Sequence, residues 1–318
     1  MQRLGFLARR LAMLTIVSFG ASIVVFASMR ILPGDPARAM LGMTATPEAL
    51  ATLRRDLGLD QPLLDQYLSW LGSALQGDLG TSIRLGQSVT SRILQSLPVT
   101  FLLGAYALAF ALLLSIPASI VSATRKNSAA DYGSRLVALL GLSMPSFWIG
   151  LMLILLFAVS LNVLPAFGYV PPWEDPWDHV RHMILPTIAL GAGYAALVYE
   201  QNRNSLIDVL AQDHIRTARA SGLPERLVLL KYAMRNASIV TITVIGVQVG
   251  FLMSGAVVVE SVFAIPGLGR LLVDAVTNRD YPLVQGAMIV TVGIFVVVNL
   301  AVDVIYSVID PRIGHAHE

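Results

Sequence analysis

Six stretches of this chain run the length of a membrane crossing without a charged side chain, and no soluble architecture accommodates that pattern. Bounded by their flanking charges, they are Leu11–Met29, Ile93–Thr124, Leu136–Trp173, Met183–Tyr199, Asn236–Val259 and Tyr281–Val302. A helix needs about 20 mostly apolar residues to cross the hydrocarbon core of a bilayer. Charged residues make up only 13% of the chain and the mean hydropathy is +0.70, whereas soluble domains carry about 25% charged residues. The expectation is an all-α polytopic membrane protein with six transmembrane helices.

Two of the windows depart from a plain span. Leu136–Trp173 is too long for one straight helix, and Asn162, Pro165, Gly168 and Pro171-Pro172 predict its end near residue 161, with a loop running on to His182. Met183–Tyr199 is the shortest window and is expected to continue as helix through Glu200–Leu210. The first window follows Arg9-Arg10 and could pass for a signal peptide. Its uncharged run exceeds the usual signal core of roughly 7–15 residues, so we read it as a retained span.

Orientation follows from where lysine and arginine collect. With the N-terminus inside, the cytoplasmic set is Arg3, Arg9, Arg10, Arg125, Lys126, Arg135, Arg203, Arg216, Arg219, Arg226, Lys231, Arg235 and Arg312, the majority of the 22 basic residues. An even number of spans returns the C-terminus to the cytoplasm. The expected division is 1–31 as a basic tail with span one, 32–97 as an external insertion, 98–308 as a five-span core containing a cytoplasmic loop at 203–236, and 309–318 as a tail. Within the insertion, Thr46-Pro47-Glu48 predicts a helix ended by Gly58. Leu64, Leu68, Leu71 and Leu75 give a second helix an apolar stripe before Gly77. That stripe could pack on the rest of the chain or lie at the membrane interface, and periodicity does not separate the two.

Several chemistries find no support in the residues. A net charge of +2 is too small to imply nucleic acid, and the lack of cysteine removes disulfides, thiolate metal sites and cysteine nucleophiles. A Walker phosphate loop needs a lysine directly after glycine, but the only lysines, Lys126 and Lys231, follow Arg125 and Leu230. His179 and His182 could share a helix face, yet no third ligand is obvious, so a solvated interfacial pair is expected rather than a metal site. No catalytic, cofactor-binding or metal residue is assigned.

Ionisable residues inside spans are function candidates by default. Glu200, Glu260 and Asp303 sit at predicted span ends, where pairing is the simpler role, for example Asp303 with Arg203 or Arg312. Gln248 and Asn299 lie deeper; each either lines a solute path or hydrogen-bonds between helices. Gln248, Asn299, Glu260 and Asp303 are therefore the candidates for a translocation path or for interhelical contacts.

The most distinctive segment is Asp213–Ala237, a short basic hairpin between long apolar windows. Ile215, Ala218, Arg219 and Gly222 fall at helical spacing on one face, which small residues would open to another protein's surface. Gly222 is expected to close the first helix, and Pro224 with Glu225 to open the second.

This segment, with its Arg216-Thr-Ala-Arg-Ala-Ser-Gly222-Leu core and Arg235-Asn-Ala237 ending, resembles the coupling loop of permease subunits from binding-protein-dependent ABC importers of the dipeptide/oligopeptide/nickel branch. The broader importer pattern begins E-A-A, where this chain has Arg216-Thr217-Ala218. The resemblance extends through Arg30–Pro36, Leu57–Pro62, Gly77–Ser82, Ser143–Trp148, Gly255–Phe263, Pro266–Arg270, Arg279–Pro282 and Asp310–Ile313. It implies a type I ABC importer permease fold with a small external helical insertion after span one. It also implies a homologous second permease subunit, two cytoplasmic ATPase subunits that bind ATP and Mg, and an external solute-binding protein. Ile215, Arg216, Thr217, Ala218, Arg219, Ala220 and Gly222 would form the ATPase-coupling loop. Small peptides are the leading cargo, with nickel complexes, glutathione and other small solutes open. A polytopic membrane enzyme or a secondary transporter fits less well, because no acid–base pairs, metal ligands or midplane carboxylates converge.

Overall fold

A computed structural model describes the backbone of residues 2–31, 36–41, 46–56 and 58–309, and side-chain surroundings for 13–28, 37–38, 41, 46–52, 54–55, 58–238, 241–246, 248 and 255–302. Among the described residues the regular structure is helical, with one isolated bridge between Thr81 and Ser88. In chain order the helices are α1 (Gln2–Ile31), α2 (Pro36–Leu41), α3 (Pro47–Asp56), α4 (Leu63–Leu75), α5 (Val89–Thr124), α6 (Ala129–Ser143), α7 (Ser146–Leu153), α8 (Pro176–Leu210), α9 (Asp213–Ala220), α10 (Glu225–Leu227), α11 (Met234–Val262), α12 (Leu268–Thr277) and α13 (Tyr281–Ile309). Three are long and apolar enough to cross a membrane: α5, α8 and the stretch Tyr281–Val302 of α13. The pair Ala129–Ser143 and Ser146–Ser160 makes a fourth if counted as one span. The first and fifth apolar windows lie in α1 and α11.

The chain divides into two compact units, Met1–Val99 with Pro266–Leu300, and Thr100–Ile265 with Ala301–Glu318. In the first unit, Thr46 accepts from the Ala49 amide at the start of α3, and Gly58, at φ +63°, follows its end. α4 seats on α1 through Tyr67, whose ring meets Phe19 and Phe26 edge-on and whose hydroxyl lies 2.7 Å from Ser22 Oγ. The loop before α5 is tied down by Thr90, which donates to the Gly77 carbonyl at 2.7 Å and accepts from the Leu79 amide. At Gly286 a Cβ would collide with Val89 and press on Leu79, so only glycine lets α13 lie this close to the start of α5.

The second unit is built around α5, α6, α7, α8 and α11. α8 crosses α5 at Gly191, where a Cβ would come within 2.7 Å of Phe110 and 2.8 Å of the Ala107 carbonyl. Such small-residue crossings substitute for hydrophobic driving force inside a bilayer. The third apolar window is not one straight helix, and its helical part ends at Ser160, near the expected 161. It contains a 107° bend between Ser143 and Ser146, continues as α7 and a π-helical stretch Ile154–Ser160, and only then enters the loop. The bend has a local cause: Met144 precedes Pro145 and is extended at ψ 128°, as the pyrrolidine ring demands of its predecessor.

The following loop is shorter than expected, because α8 begins at Pro176 rather than after His182. Asp175 caps it, accepting from the Trp177 and Asp178 amides, and proline occupies the first turn, where its missing donor costs nothing. As expected, α8 runs on through Glu200 to Leu210.

Candidate functional site

α9 is an eight-residue amphipathic helix. Its apolar face carries Ile215, fully buried, and Ala218, nearly so. Both join a cluster made by the chain itself from Ala123, Leu206, Val209, Val228, Ala233 and Ala237. The expectation that small residues on this face would receive another protein is therefore corrected. Ile215 and Ala218 seat α9 on α8 and on the helix that follows it, because burying that face is the only source of stability for so short a helix. What the hairpin presents outward is Arg216, Thr217, Arg219 and Ala220, all exposed, with Asp213 and Ser221 beside them.

At Gly222 the turn after α9 is set by backbone conformation and hydrogen bonds, not by side-chain packing. Gly222 sits at φ +78° with nothing within 4 Å of where a Cβ would stand. Its amide donates to the Arg219 carbonyl, and the Leu223 amide to that of Ala218, the bonding of a glycine-ended helix. Arg219 closes the turn with a two-point ion pair to Glu225, Nη2 to Oε1 at 2.6 Å and Nε to Oε2 at 3.1 Å. The hydrogen-bonded arginine lowers the Glu225 carboxyl below its ordinary range, and the carboxylate raises Arg219 in return. As expected, Pro224 and Glu225 open the next helix. That helix does not end: α10 passes through a π-helical stretch, Val228–Ala233, directly into α11. Asn236 lies 3.2 Å from His214, and Ala237 is buried in the cluster under α9, so the Arg235-Asn-Ala237 motif acts as part of the seat.

Just before α9, α8 carries a buried polar lattice that the residues did not disclose. Arg203 donates from Nε and Nη2 to both carboxylate oxygens of Asp131 at 2.9 and 3.0 Å. Ser122 donates to Asp131, accepts from Arg203 and accepts from the Tyr199 hydroxyl. One step along, Asn202 donates to Ser119 at 2.7 Å and accepts from Thr241 at 2.8 Å, joining α5, α8 and α11. Among the described residues the partner of Arg203 is thus Asp131; the side chain of Asp303 lies outside them. Asp131 sits in the short basic stretch after α5, and its isolation among Arg125, Lys126 and Arg135 was the available signal.

Of the remaining candidates, Gln248 and Glu260 lie on α11, Glu200 on α8 and Asn299 on α13. Gln248 borders a cavity of about 150 Å³ with Met144, Ser146, Ile149, Leu190, Gly193, Tyr194 and Gly255. Glu260 lies three turns further along α11, ~18 Å by the helical rise. It is fully buried and accepts from Thr100 Oγ1 at 2.6 Å, a hydroxyl partner rather than a charged one at that bond. Asn299 donates one turn back to the Phe295 carbonyl. Glu200 accepts from Asn204 at 3.2 Å.

His179 is not a solvated interfacial residue. It is buried between Tyr106 and Tyr169, with Nδ1 2.6 Å from the Val170 carbonyl and Nε2 3.1 Å from the Tyr106 hydroxyl. His182 turns instead to the Asp178 carbonyl at 2.9 Å. Among the described residues no three His, Asp or Glu side chains converge as metal ligands.

Comparison with known proteins places this geometry. Residues 115–315 match the profile of the family described as binding-protein-dependent transport system inner membrane component, and residues 3–104 match the N-terminal membrane-component profile of the same systems. The chain is 40% identical to a dipeptide transport system permease protein of Alkalihalophilus pseudofirmus, over 98% of this chain and 100% of that one. It is 39% identical to a di/tripeptide transport system permease protein of Pseudomonas aeruginosa and 38% identical to a dipeptide transport system permease protein of Escherichia coli, each over 98% of this chain and 99% of the relative. Among solved structures, an amino acid ABC transporter with histidines superposes with a TM-score of 0.51 over 70% of this chain and 94% of that one. At 16% identity that likeness bears on the fold alone.

Proposed function

The chain belongs to the family of binding-protein-dependent transport system inner membrane components, and from that premise we propose that it is the peptide-importing permease half of an ATP-driven complex. In this reading the chain forms part of a translocation path for small peptides handed over by an external solute-binding protein. A second, homologous permease completes the path, and two cytoplasmic ATPase subunits supply ATP and Mg chemistry that this chain does not perform. Six spans, with α1 and α11 counted, put both termini in the cytoplasm, and the membrane is the bacterial inner membrane. The proposed division is the one drawn from composition: tail and span one, external insertion at 32–97, core at 98–308, tail at 309–318.

The observation that carries the reading is the construction of the α9 hairpin. Its apolar side is consumed by its own seat, its turn is pinned by Arg219 and Glu225, and its outward side offers Arg216, Thr217 and Ala220 at fixed positions. A rigid basic projection of this kind suits a groove on an ATPase subunit. The roles within Ile215–Gly222 then divide: Ile215, Ala218 and Gly222 shape the hairpin, while Arg216, Thr217, Arg219 and Ala220 meet the partner. Of the path candidates, Gln248 is favoured by its cavity, and Glu260 and Asn299 serve helix packing, while Asp303 keeps both readings, its side chain lying outside the described residues.

The test is co-purification with uptake. Tagged chain expressed with its neighbouring transport subunits should bring down the ATPases and support uptake of a labelled dipeptide. Arg216→Glu should leave the chain in the membrane and lose both. Undiminished uptake by Arg216→Glu at normal expression would refute the coupling role, and uptake of a nickel complex or glutathione in place of the dipeptide would refute the peptide assignment.

A further inference from the structure

The leucine stripe of α4 does not pack on the chain. Leu64, Leu68 and Leu75 are 66%, 55% and 80% exposed, while the helix is fixed in place by its other side. Gln66, buried in its first turns, donates back to the Leu59 and Gln61 carbonyls, and Tyr67 is buried against α1. At 100° per residue, α4 has three sides. Tyr67, Trp70 and Ala74 face α1; Leu64, Leu68, Leu71 and Leu75 form a second side; Asp65, Ser69 and Ser73, all exposed, form the third.

The level at which α4 meets α1 identifies what covers the leucines. The charge-free window of α1 is bounded by Arg10 and Arg30. The contacts with Tyr67 and Trp70 are made by Phe19, Ser22 and Phe26, with ring centroids 6.2 Å apart for Phe19–Tyr67, 5.5 Å for Phe26–Tyr67 and 5.9 Å for Phe26–Trp70. Ser22 is two turns inside the Arg30 boundary, ~12 Å along the axis at 1.5 Å per residue, and half the hydrocarbon core is ~15 Å. A helix fastened there is not in external water. Ile16 and Val24 of α1, on sides turned away from α4, are themselves exposed and apolar, as the surface of a span is.

We propose that α4 is a membrane-embedded amphipathic helix whose Leu64, Leu68 and Leu75 face rests against the acyl chains of the bilayer. The polar Asp65, Ser69 and Ser73 edge faces the aqueous side, as in helices that lie in a membrane interface. The insertion after span one is then partly a membrane element rather than a domain standing in external solvent. This rests on the reading of α1 as a span.

Because the chain contains no cysteine, single-cysteine variants can be spin-labelled without background. The full chain, assembled with its partner subunits in phosphatidylethanolamine–phosphatidylglycerol vesicles, is labelled at L64C, L68C or L75C, at S69C or S73C, and at V24C of α1. Collision rates are read with oxygen, which partitions into lipid, and with a nickel chelate, which stays in water. Labels at 64, 68 and 75 should show an oxygen-to-nickel ratio severalfold above those at 69 and 73, and comparable to position 24. Nickel access at 64, 68 and 75 equal to that at 69 would overturn the proposal, as would exclusion of both reagents, which would place a protein surface over the leucines. If position 24 is itself nickel-accessible, it is the span reading of α1 that fails.

Discussion

Asp280 and Ser82, far apart in the sequence, share a buried hydrogen bond in which the serine hydroxyl donates to the carboxylate. The same carboxylate accepts from the Ile83 amide at 3.2 Å, the Arg84 amide and the Leu283 amide. One side chain therefore starts α13 and fixes the turn after Ser82, uniting two motifs, Gly77–Ser82 and Arg279–Pro282, that the sequence keeps separate. Removing it leaves several donors without an acceptor.

Asp280→Ala should accordingly lower stability by about 2–3 kcal/mol, the cost of stranding buried donors of a charged acceptor. Ser82→Ala, which removes one donor to the carboxylate and leaves only the Leu85 amide without its acceptor, should cost less, about 1 kcal/mol. Thermal melting of the purified chain in detergent, followed by protease resistance, ranks the two. Equal effects would show that Ser82 and not Asp280 organises the turn.

The Arg203–Asp131 pair should behave non-additively. Either Arg203→Met or Asp131→Leu leaves one buried charge unmatched and should cost about 3–5 kcal/mol, whereas the double variant should recover much of that loss. A double-mutant cycle on unfolding reads the coupling directly. Additive losses would mean that Ser122, which bonds both partners, and the Asn127 amide, which donates to Asp131 at 2.9 Å, hold them independently of the pair.

At α9 the two small residues should fail for different reasons. Ala218→Trp overfills the seat beneath the helix and should destabilise the chain itself by about 1–3 kcal/mol. Gly222→Ala meets no neighbour, yet must hold φ +78°, and should cost roughly 1 kcal/mol through the backbone alone. Limited proteolysis at the 219–225 turn should rise in both. Gly222→Asn, which tolerates this conformation better, should restore resistance.

The Arg219–Glu225 clasp carries a pH signature. Because the Glu225 carboxyl is depressed in the folded chain, its contribution is present above the ordinary carboxylate pKa and is lost as pH falls through the lowered one. Both groups are half-exposed, so the effect is local and small, within the ~0–1 kcal/mol of surface pairs. Hydrogen exchange at Gly222 and Leu223, corrected for intrinsic rates, should accelerate below roughly pH 4. In Glu225→Gln that acceleration should vanish, the exchange being fast throughout.

Much of the architecture was legible because it depends on local chemistry. Thr46 and Gly58 bound α3, Pro224 opens the helix after the hairpin, and α8 continues past Tyr199 to Leu210. What escaped depends on neighbours distant in sequence. In α9, Ile215 and Ala218 and the basic side are both compatible with an outward face, and only the alanine-lined surface of Ala233 and Ala237 decides between them. His179 looked like a solvated partner of His182 until Tyr106, brought from α5, closed over it. The bend at Met144-Pro145 had a local signal, but its size is set by how α7 packs on α8, which composition does not encode.

From Glu225 to Val262 the chain is helical without interruption, the π-helical stretch included. At 1.5 Å per residue this is a rod ~55 Å long, with the α9 seat built into one end through Ala233 and Ala237 and Glu260 clamped to Thr100 at the other. A rod has no slack: a linker would absorb a push on the hairpin as bending, whereas here axial thrust and torque at one end arrive at the other. The π-helical stretch Val228–Ala233 lies beside that seat, its wider winding holding about one residue more per turn than the α-helix on either side.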